Sequence, residues 1–128
     1  MRLTHPLAQA AERRAEAYLH SQGYRTRHRN WHCRYGEWDL ILDAPQGGLW
    51  VFVEVRYRSR PLGGSASATV DARKQKRLSR CAGCYLATWS RETGQNPPAC
   101  RFDVVALEGQ TVAQATLRWI RDAFYAVN

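Results

Sequence analysis

The spacing of apolar residues along the chain predicts a helix near the N-terminus. Helix-forming residues run from Pro6 to Gln22. Thr4 is the predicted N-cap and Gly23 the predicted C-cap. Small and apolar side chains recur in this segment with the helical period, and Glu12 lies at the edge of their stripe. We therefore expect a helix that packs on a core and carries a carboxylate beside its packed face.

Strand-like segments follow this helix. Tyr24–Trp31 looks extended, and Gly36–Asp43 and Leu49–Ser59 are rich in β-branched and aromatic residues around a loop with Pro and Gly, which predicts a β-hairpin. A second helix is predicted over Asp71–Trp89, and a further strand over Arg101–Leu107. The C-terminal TLRWIRDAFYAV is expected to form a short helix, or a strand and then a helix. This order is typical of an α/β fold.

Side-chain alternation along the hairpin predicts a charged patch at one end of the sheet. Glu54 and Arg56 share one face of the second strand, and Asp39 shares a face of the first strand with Glu37. With four or five residues in the loop, Asp39 lies opposite or diagonal to Glu54. Two carboxylates and a cation are therefore expected to converge. The other face of the first strand is expected to carry apolar side chains, those of Trp38, Leu40 and Leu42.

Length and composition are ordinary for a soluble globular protein. The 128 residues are 45% hydrophobic and 23% charged. No repeat or linker divides the chain, so residues 1–128 are predicted to form a single α/β domain. No apolar run approaches the roughly 20 residues needed to span a bilayer, and the N-terminus lacks the apolar stretch of a signal peptide. We therefore expect a cytoplasmic protein that makes no membrane contact.

Positive charge is concentrated in the middle of the chain. Lys and Arg number 19 against 11 Asp and Glu, which gives a net charge of +8. Between Arg25 and Arg80 this excess is typical of a nucleic-acid-binding surface, because neutralising phosphates releases condensed counterions. A solvated basic face is the alternative. The candidate nucleic-acid contacts lie on the predicted strands and on the second helix: Arg29, Arg58, Arg73, Lys74 and Arg77.

An acidic residue near the end of one strand, with Glu-x-(Lys/Arg) on the next, is typical of metal-dependent nucleases. Asp39 and Glu54 would supply hard oxygen ligands to Mg²⁺ or Mn²⁺, and the carbonyl of Val55 could complete the shell. A metal-bound water could then attack a phosphodiester, with Arg56 stabilising the developing charge. Glu12 could hold a metal-bound water or a second ion. By spacing alone, an exposed cross-strand salt bridge is the alternative.

Ordered motifs cover most of the chain, from about Glu12 to Phe124. They are AERRAEAYL followed by GY, then GEWDLI, VFVEVRYRS, ARKQKRL, CRFDVVAL and WIRDAF. Together they resemble the YraN-type family of small bacterial proteins, related to Holliday-junction resolvases in the PD-(D/E)XK nuclease superfamily. The resemblance implies a restriction-endonuclease-like fold, with a mixed sheet flanked by helices, and a Mg²⁺-dependent site. It places the superfamily's core positions at Glu12, Asp39, Glu54 and Arg56.

The resemblance and the charge together predict a Mg²⁺- or Mn²⁺-dependent endonuclease that acts on branched or single-strand-containing DNA. The superfamily usually has Lys at the position of Arg56, and Arg cannot act as a general base because it stays protonated. Activating water would then require the metal, or help from Lys74 or Glu37. The alternative is a catalytically inactive DNA-binding adaptor in repair or recombination. Related resolvases are dimers, which makes a homodimer a candidate assembly.

The cysteines allow three interpretations. Cys81 and Cys84 have the C-x-x-C spacing of zinc and redox motifs. A zinc site would need Cys33, His32 or Cys100 to converge on them. Because the predicted helix already gives both residues packing roles, buried reduced thiols are the favoured interpretation.

Overall fold

A computed structural model describes residues 5–60 and 70–127 and confirms the predicted α/β class. Two helices flank a five-stranded mixed sheet. In chain order the elements are α1 (Pro6–Ser21), β1 (Arg25–Cys33), β2 (Gly36–Asp43), β3 (Leu49–Arg58), α2 (Ala72–Thr93), β4 (Ala99–Glu108) and β5 (Thr116–Ile120). The predicted Gly/Ser-rich loop at residues 60–69 lies almost wholly outside the described residues.

The strands lie side by side in the order β1-β2-β3-β4-β5. The first three are antiparallel neighbours, which confirms the predicted hairpin of β2 and β3. β4 runs parallel to β3, because α2 carries the chain back along the sheet before β4 begins. β5 is antiparallel to β4. The central strand β3 thus has a neighbouring strand along each of its edges.

Apolar side chains are buried on both faces of the sheet, one set under each helix. The cluster under α2 is largely aromatic and includes Trp38, Phe52, Tyr85 and Phe102. The cluster under α1 is largely aliphatic and includes Leu19, Leu40, Leu42, Val51 and Val53. Burial on both faces explains why β3 begins with the continuous apolar run LWVFV.

Trp38 lies on the face opposite to the predicted one. The sequence places Trp38 on one face with Leu40, but Leu40 packs under α1 whereas Trp38 packs under α2, where its Nε1 donates to the carbonyl oxygen of Leu78 at 3.0 Å. The strict alternation of side chains between the two faces of the sheet therefore fails between positions 38 and 40. This break coincides with an irregularity in the neighbouring strand. Asn30 has a left-handed backbone (φ 49°), and Asn30 and Asp39 are absent from the paired residues of the β1–β2 ladder.

Of the two predictions for the C-terminal segment, a short helix or a strand followed by a helix, the structure contains the strand, and the described residues after it form no helix. Thr116–Ile120 pairs with β4 at the edge of the sheet, and residues 121–127 form a turn, a bend and irregular chain. Leu117 and Trp119 pack against the core under α1, with the two-residue period of a strand. Pairing with β4, which a local sequence pattern cannot reveal, decides between the two structures.

The helix ends lie close to the predicted ones. α1 begins at Pro6, and the imidazole of His5 caps its first turn, whereas the predicted cap, Thr4, lies outside the described residues. α2 continues past the predicted end to Thr93, where Gly94 stops it with a left-handed φ of 71°. Among the residues that the structure describes, neither helix has the length and apolarity needed to cross a membrane.

A buried ionic network ties β4 to its surroundings. Asp103 is fully buried, and its carboxylate pairs with the guanidinium of Arg101 at 2.8 Å. It also accepts hydrogen bonds from the Trp119 indole N–H and the Asp122 backbone N–H, each at 2.9 Å. Arg101 in turn donates to the Tyr24 hydroxyl at 3.1 Å. The network therefore links β4 to β5 and to the residue that precedes β1.

We expect Asp103→Ala to lower the free energy of unfolding by about 3–5 kcal/mol, because it leaves the Arg101 guanidinium uncompensated and two N–H donors without an acceptor. Urea unfolding at neutral pH measures the effect. Glu92→Ala, which removes an exposed carboxylate from α2, is the control and should change stability by less than about 0.5 kcal/mol. A similarly small effect of Asp103→Ala would contradict a structural role for the network.

Candidate active site

Two carboxylates meet where the β2–β3 ladder ends. The last paired residues are Leu40 and Val53, and Asp39 and Glu54 come one step beyond them. Both acidic residues are buried, with 6% and 5% of their surfaces exposed. Asp39 Oδ2 accepts a hydrogen bond from the backbone N–H of Val55 at 2.7 Å. The predicted juxtaposition of Asp39 and Glu54 across the hairpin is therefore confirmed.

Burial and like charge make this pair electrostatically unfavourable by itself. Burial raises the pKa of Asp39 well above its usual range, and the charge of Glu54 raises it further. The hydrogen bond from Val55 lowers it, and the charge of Glu12 adds to the upward shift. A positive charge placed between the carboxylates would reverse these effects. Neutralising the pair therefore requires a proton or a positively charged group close to it.

Lys74 brings one positive charge to the carboxylates from α2. Its ammonium forms an ion pair with Glu54 Oε2. Asp71 helps to place it, because the Asp71 side chain caps α2 by accepting the N–H of Lys74 at 2.8 Å. The lysine therefore enters the site from the first turn of a capped helix.

Two cavities open on either side of the Glu54–Lys74 ion pair. The first has a volume of about 240 Å³ and contains acidic and basic groups, those of Glu37, Asp39, Glu54, Lys74 and Arg77. The second, of about 310 Å³, lies against the first turns of α1 and is more basic, with Glu54, Lys74, Arg56 and Arg58 in its lining. The predicted side-by-side placement of Glu54 and Arg56 is therefore present in the second cavity.

Glu12 is held near this region by a residue that the sequence did not single out. The side-chain amide of Asn30 donates to Glu12 Oε1 at 2.9 Å and to Glu37 Oε2 at 3.3 Å. It thus links a carboxylate of α1 to one of β2. The sequence did contain a feature that could have identified Asn30: asparagine is uncommon inside strands, and it tolerates a left-handed backbone better than most residues.

The predicted nucleic-acid contacts fall into two groups. Arg73 and Arg77 are exposed on the first turns of α2, and Arg58 lines the more basic cavity. Arg29 instead pairs with Glu16 of α1, with its Nε 2.8 Å from Glu16 Oε2, although 63% of its side chain is exposed. Arg58 and Arg77 therefore line the candidate site, whereas Arg73 and Arg29 line neither of the two cavities.

The donor set fits a small, hard divalent cation. Within residues 5–60 and 70–127, no three His, Cys, Asp or Glu side chains are arranged to enclose a metal ion. Mg²⁺ and Mn²⁺ do not require this, because Mg²⁺ keeps several waters and binds proteins through one or two carboxylates. Asp39 and Glu54 would supply those carboxylates, next to the backbone of Val55.

The cysteine thiols are all free. Cys81 is buried, and burial raises its pKa. Burial also raises the pKa of Cys100 to about 11. Thiols with raised pKa values are poor nucleophiles and poor metal ligands at neutral pH. The prediction of buried thiols is therefore confirmed for Cys81, whereas Cys33, Cys84 and Cys100 are only partly buried.

Comparison with known proteins identifies the family. Residues 11–107 match the model of the "Uncharacterised protein family UPF0102". Over 116 residues the chain is 50% identical to a UPF0102 protein of Halorhodospira halophila, an alignment that covers 91% of this chain and 84% of that protein. The chain belongs to UPF0102. This is the YraN-type family that the ordered motifs resemble, so that resemblance is confirmed.

Further UPF0102 proteins align over a similar span. One from Pseudomonas entomophila is 47% identical over 117 residues, covering 91% of this chain and 90% of the relative. One from Cupriavidus taiwanensis is 47% identical over 116 residues, covering 91% and 80%. The segment that matches the UPF0102 family model contains every residue of the carboxylate site described above, namely Glu12, Asn30, Glu37, Asp39, Glu54 and Lys74.

We expect Asp39→Asn to stabilise this UPF0102 protein at pH 7.5 in EDTA, by about 0.5–2 kcal/mol. The asparagine oxygen can still accept the Val55 N–H, while repulsion from Glu54 disappears. Because folding raises the pKa of Asp39, the folded wild type binds more protons than the unfolded chain above about pH 4. The contribution of Asp39 to wild-type stability should therefore become less unfavourable as the pH falls towards that value, and the advantage of the variant over wild type should shrink.

Thermal unfolding between about pH 4.5 and 8 tests this expectation. Asp43→Asn is the matched control on the same strand, because Asp43 already pairs with Arg27 at 3.3 Å and is not crowded by a second carboxylate in that pair. The control should show no gain in stability. An Asp39→Asn protein no more stable than wild type at neutral pH would show that the buried pair carries no electrostatic penalty.

Proposed function

We propose that this protein is a Mg²⁺- or Mn²⁺-dependent endonuclease of the PD-(D/E)XK superfamily, acting on branched or single-strand-containing DNA. The observation that carries the proposal is the buried Asp39–Glu54 pair at the end of adjacent antiparallel strands, with Lys74 and Arg56 beside it. Two carboxylates held together out of water are costly unless a cation neutralises them. A helix on each face of a mixed sheet is compatible with a restriction-endonuclease-like fold.

The chain supplies distinct groups for each task of phosphodiester hydrolysis. Asp39 and Glu54 would hold the divalent cation, which when bound would lower the pKa of a water molecule and polarise the phosphate. Arg56 remains protonated, so it would stabilise negative charge on the phosphoryl group and would not accept a proton. Glu37 lines the same cavity as Asp39 and can take up the proton of the attacking water.

DNA would approach over the first half of α2. Arg73 and Arg77 are four residues apart and therefore share one side of this helix, beside Lys74. Contacts from such side chains to the phosphate backbone give affinity and orientation without reading sequence. The preference for branched or single-stranded DNA follows from the resemblance to Holliday-junction resolvases.

The wild-type protein is expected to cut labelled DNA only when Mg²⁺ or Mn²⁺ is present. Duplex, single-stranded, flap and four-way-junction substrates are incubated with each metal or with EDTA. Glu54→Ala should reduce the cleavage rate more than about 100-fold. This is a larger loss than is typical for a residue that supports a metal ligand without contacting the metal itself. Its DNA affinity should be unchanged or higher, because a negative charge facing phosphate is removed.

Glu92→Ala serves as the matched control, because Glu92 is exposed near the far end of α2, and it should cut like the wild type. Equal cutting by wild type and Glu54→Ala would indicate that a contaminating nuclease cuts the DNA. It would contradict the assignment of Glu54 to the active site. Tight, salt-sensitive binding with no cutting in either metal would contradict catalysis. It would favour the DNA-binding adaptor, with Arg56 in place of the superfamily's lysine as the physical reason.

Arg77→Ala should weaken DNA binding similarly for all sequences and reduce the slope of log affinity against log salt by about 1, the effect of losing one phosphate contact. Fluorescence anisotropy at several salt concentrations measures both quantities. Arg91→Ala removes the same charge from the last turns of α2 and should leave the slope nearly unchanged. Equal salt-dependence slopes for Arg77→Ala and Arg91→Ala would contradict DNA binding over the first half of α2.

A further inference from the structure

A left-handed residue interrupts β1 next to the candidate site. In the described part of the chain two residues other than glycine have a positive φ, Asn30 at 49° and Asp122 at 55°. Asp122 lies in the turn that follows β5, where such a backbone is common. Asn30 lies inside a strand, where a left-handed conformation is unfavourable and interrupts the ladder of backbone pairing. An unfavourable conformation of this kind indicates a local requirement.

The left-handed backbone changes which face the neighbouring side chains occupy. Arg29 and Asn30 are consecutive, yet both bond to carboxylates of α1. Trp31 then packs under α2, and so does its cross-strand partner Trp38. The alternation of both strands is therefore displaced at the same point. Asp39, whose cross-strand neighbour would be Asn30, is left out of the ladder.

The amide of Asn30 uses its two N–H donors on two different carboxylates. Glu12 accepts at 2.9 Å and Glu37 accepts at 3.3 Å. Glu37 lines the cavity that contains Asp39, and the charge of Glu12 acts on Asp39. Without a neutral donor between them, two negative side chains would separate towards water. The amide thus keeps both carboxylates beside the buried pair.

We propose that Asn30 is a positioning residue for the carboxylate site. Its backbone releases Asp39 from the β1–β2 ladder so that Asp39 reaches Glu54. Its side chain holds Glu37 at the edge of the cavity that contains Asp39 and ties Glu12 of α1 to Glu37. This inference rests on the proposed nuclease function and adds to it a residue that touches neither the phosphate nor the metal-binding pair.

Two substitutions separate the backbone role from the side-chain role. Asn30→Gly keeps a residue that adopts the left-handed conformation freely but removes the amide. Asn30→Ala removes the amide and also disfavours the backbone conformation. Asp122→Gly is the matched control, because it makes the same change at the other left-handed position, which lines neither of the two cavities beside Glu54.

The test uses the full chain and three measurements: thermal unfolding, calorimetric titration with MnCl₂, and cleavage kinetics on the DNA that the wild type cuts best. Asn30→Gly should melt within a few degrees of the wild type, bind Mn²⁺ several-fold more weakly and lose at least about tenfold in kcat with an unchanged KM for DNA. Asn30→Ala should show the same losses and a lower Tm. Asp122→Gly should keep the wild-type kcat and Mn²⁺ affinity.

Each contrary result has a distinct meaning. Wild-type Mn²⁺ affinity and kcat in Asn30→Gly, alongside an inactive Glu54→Ala, would overturn the positioning role and leave the nuclease proposal standing. A Tm of Asn30→Gly as low as that of Asn30→Ala would show that the amide is structural, and would also overturn it. A wild-type protein that neither binds Mn²⁺ nor cuts DNA would refute the proposed function and the positioning role together.

Discussion

The repulsion between the buried carboxylates of Asp39 and Glu54 is the interaction on which the rest of the site depends. Taking two negative groups out of water is unfavourable unless positive charge or hydrogen-bond donors compensate. The groups around them accordingly donate: the N–H of Val55 binds Asp39, and the ammonium of Lys74 binds Glu54. The surrounding core holds the two strands in register, so neither carboxylate can move away to relieve the repulsion.

Much of this arrangement could be predicted from local patterns. The apolar runs and the short loop identified the hairpin, and the loop length placed Asp39 opposite or diagonal to Glu54, because hairpin register is set by the turn. The spacing of Glu54 and Arg56 placed both on one face. Lys74 was predicted as a basic position on the second helix, but its ion pair with Glu54 depends on how α2 crosses the sheet, which the sequence does not state.

The features that the sequence did not predict all depend on a neighbouring element. Trp38 changes face beside Asn30, which has a left-handed backbone on the neighbouring strand. The sequence left a helix and a strand open for the C-terminal segment, and pairing with β4 decides for the strand at Thr116–Ile120. Asp103 looked like one acidic residue in an apolar run, and its buried network requires partners that are distant along the chain. Periodicity describes one element at a time, so it cannot anticipate such effects.

The acidic pair and the exposed cations belong to different elements of the fold. The candidate metal-binding carboxylates, Asp39 and Glu54, belong to strands anchored in the core, whereas the exposed cations Arg73 and Arg77 belong to a helix surface. Under the proposed function, substitutions on that surface would alter which nucleic-acid shapes are accepted while the geometry of the acidic pair is preserved. Recognition and chemistry would then be able to change independently during evolution, with the Lys74–Glu54 ion pair as the point where they remain coupled.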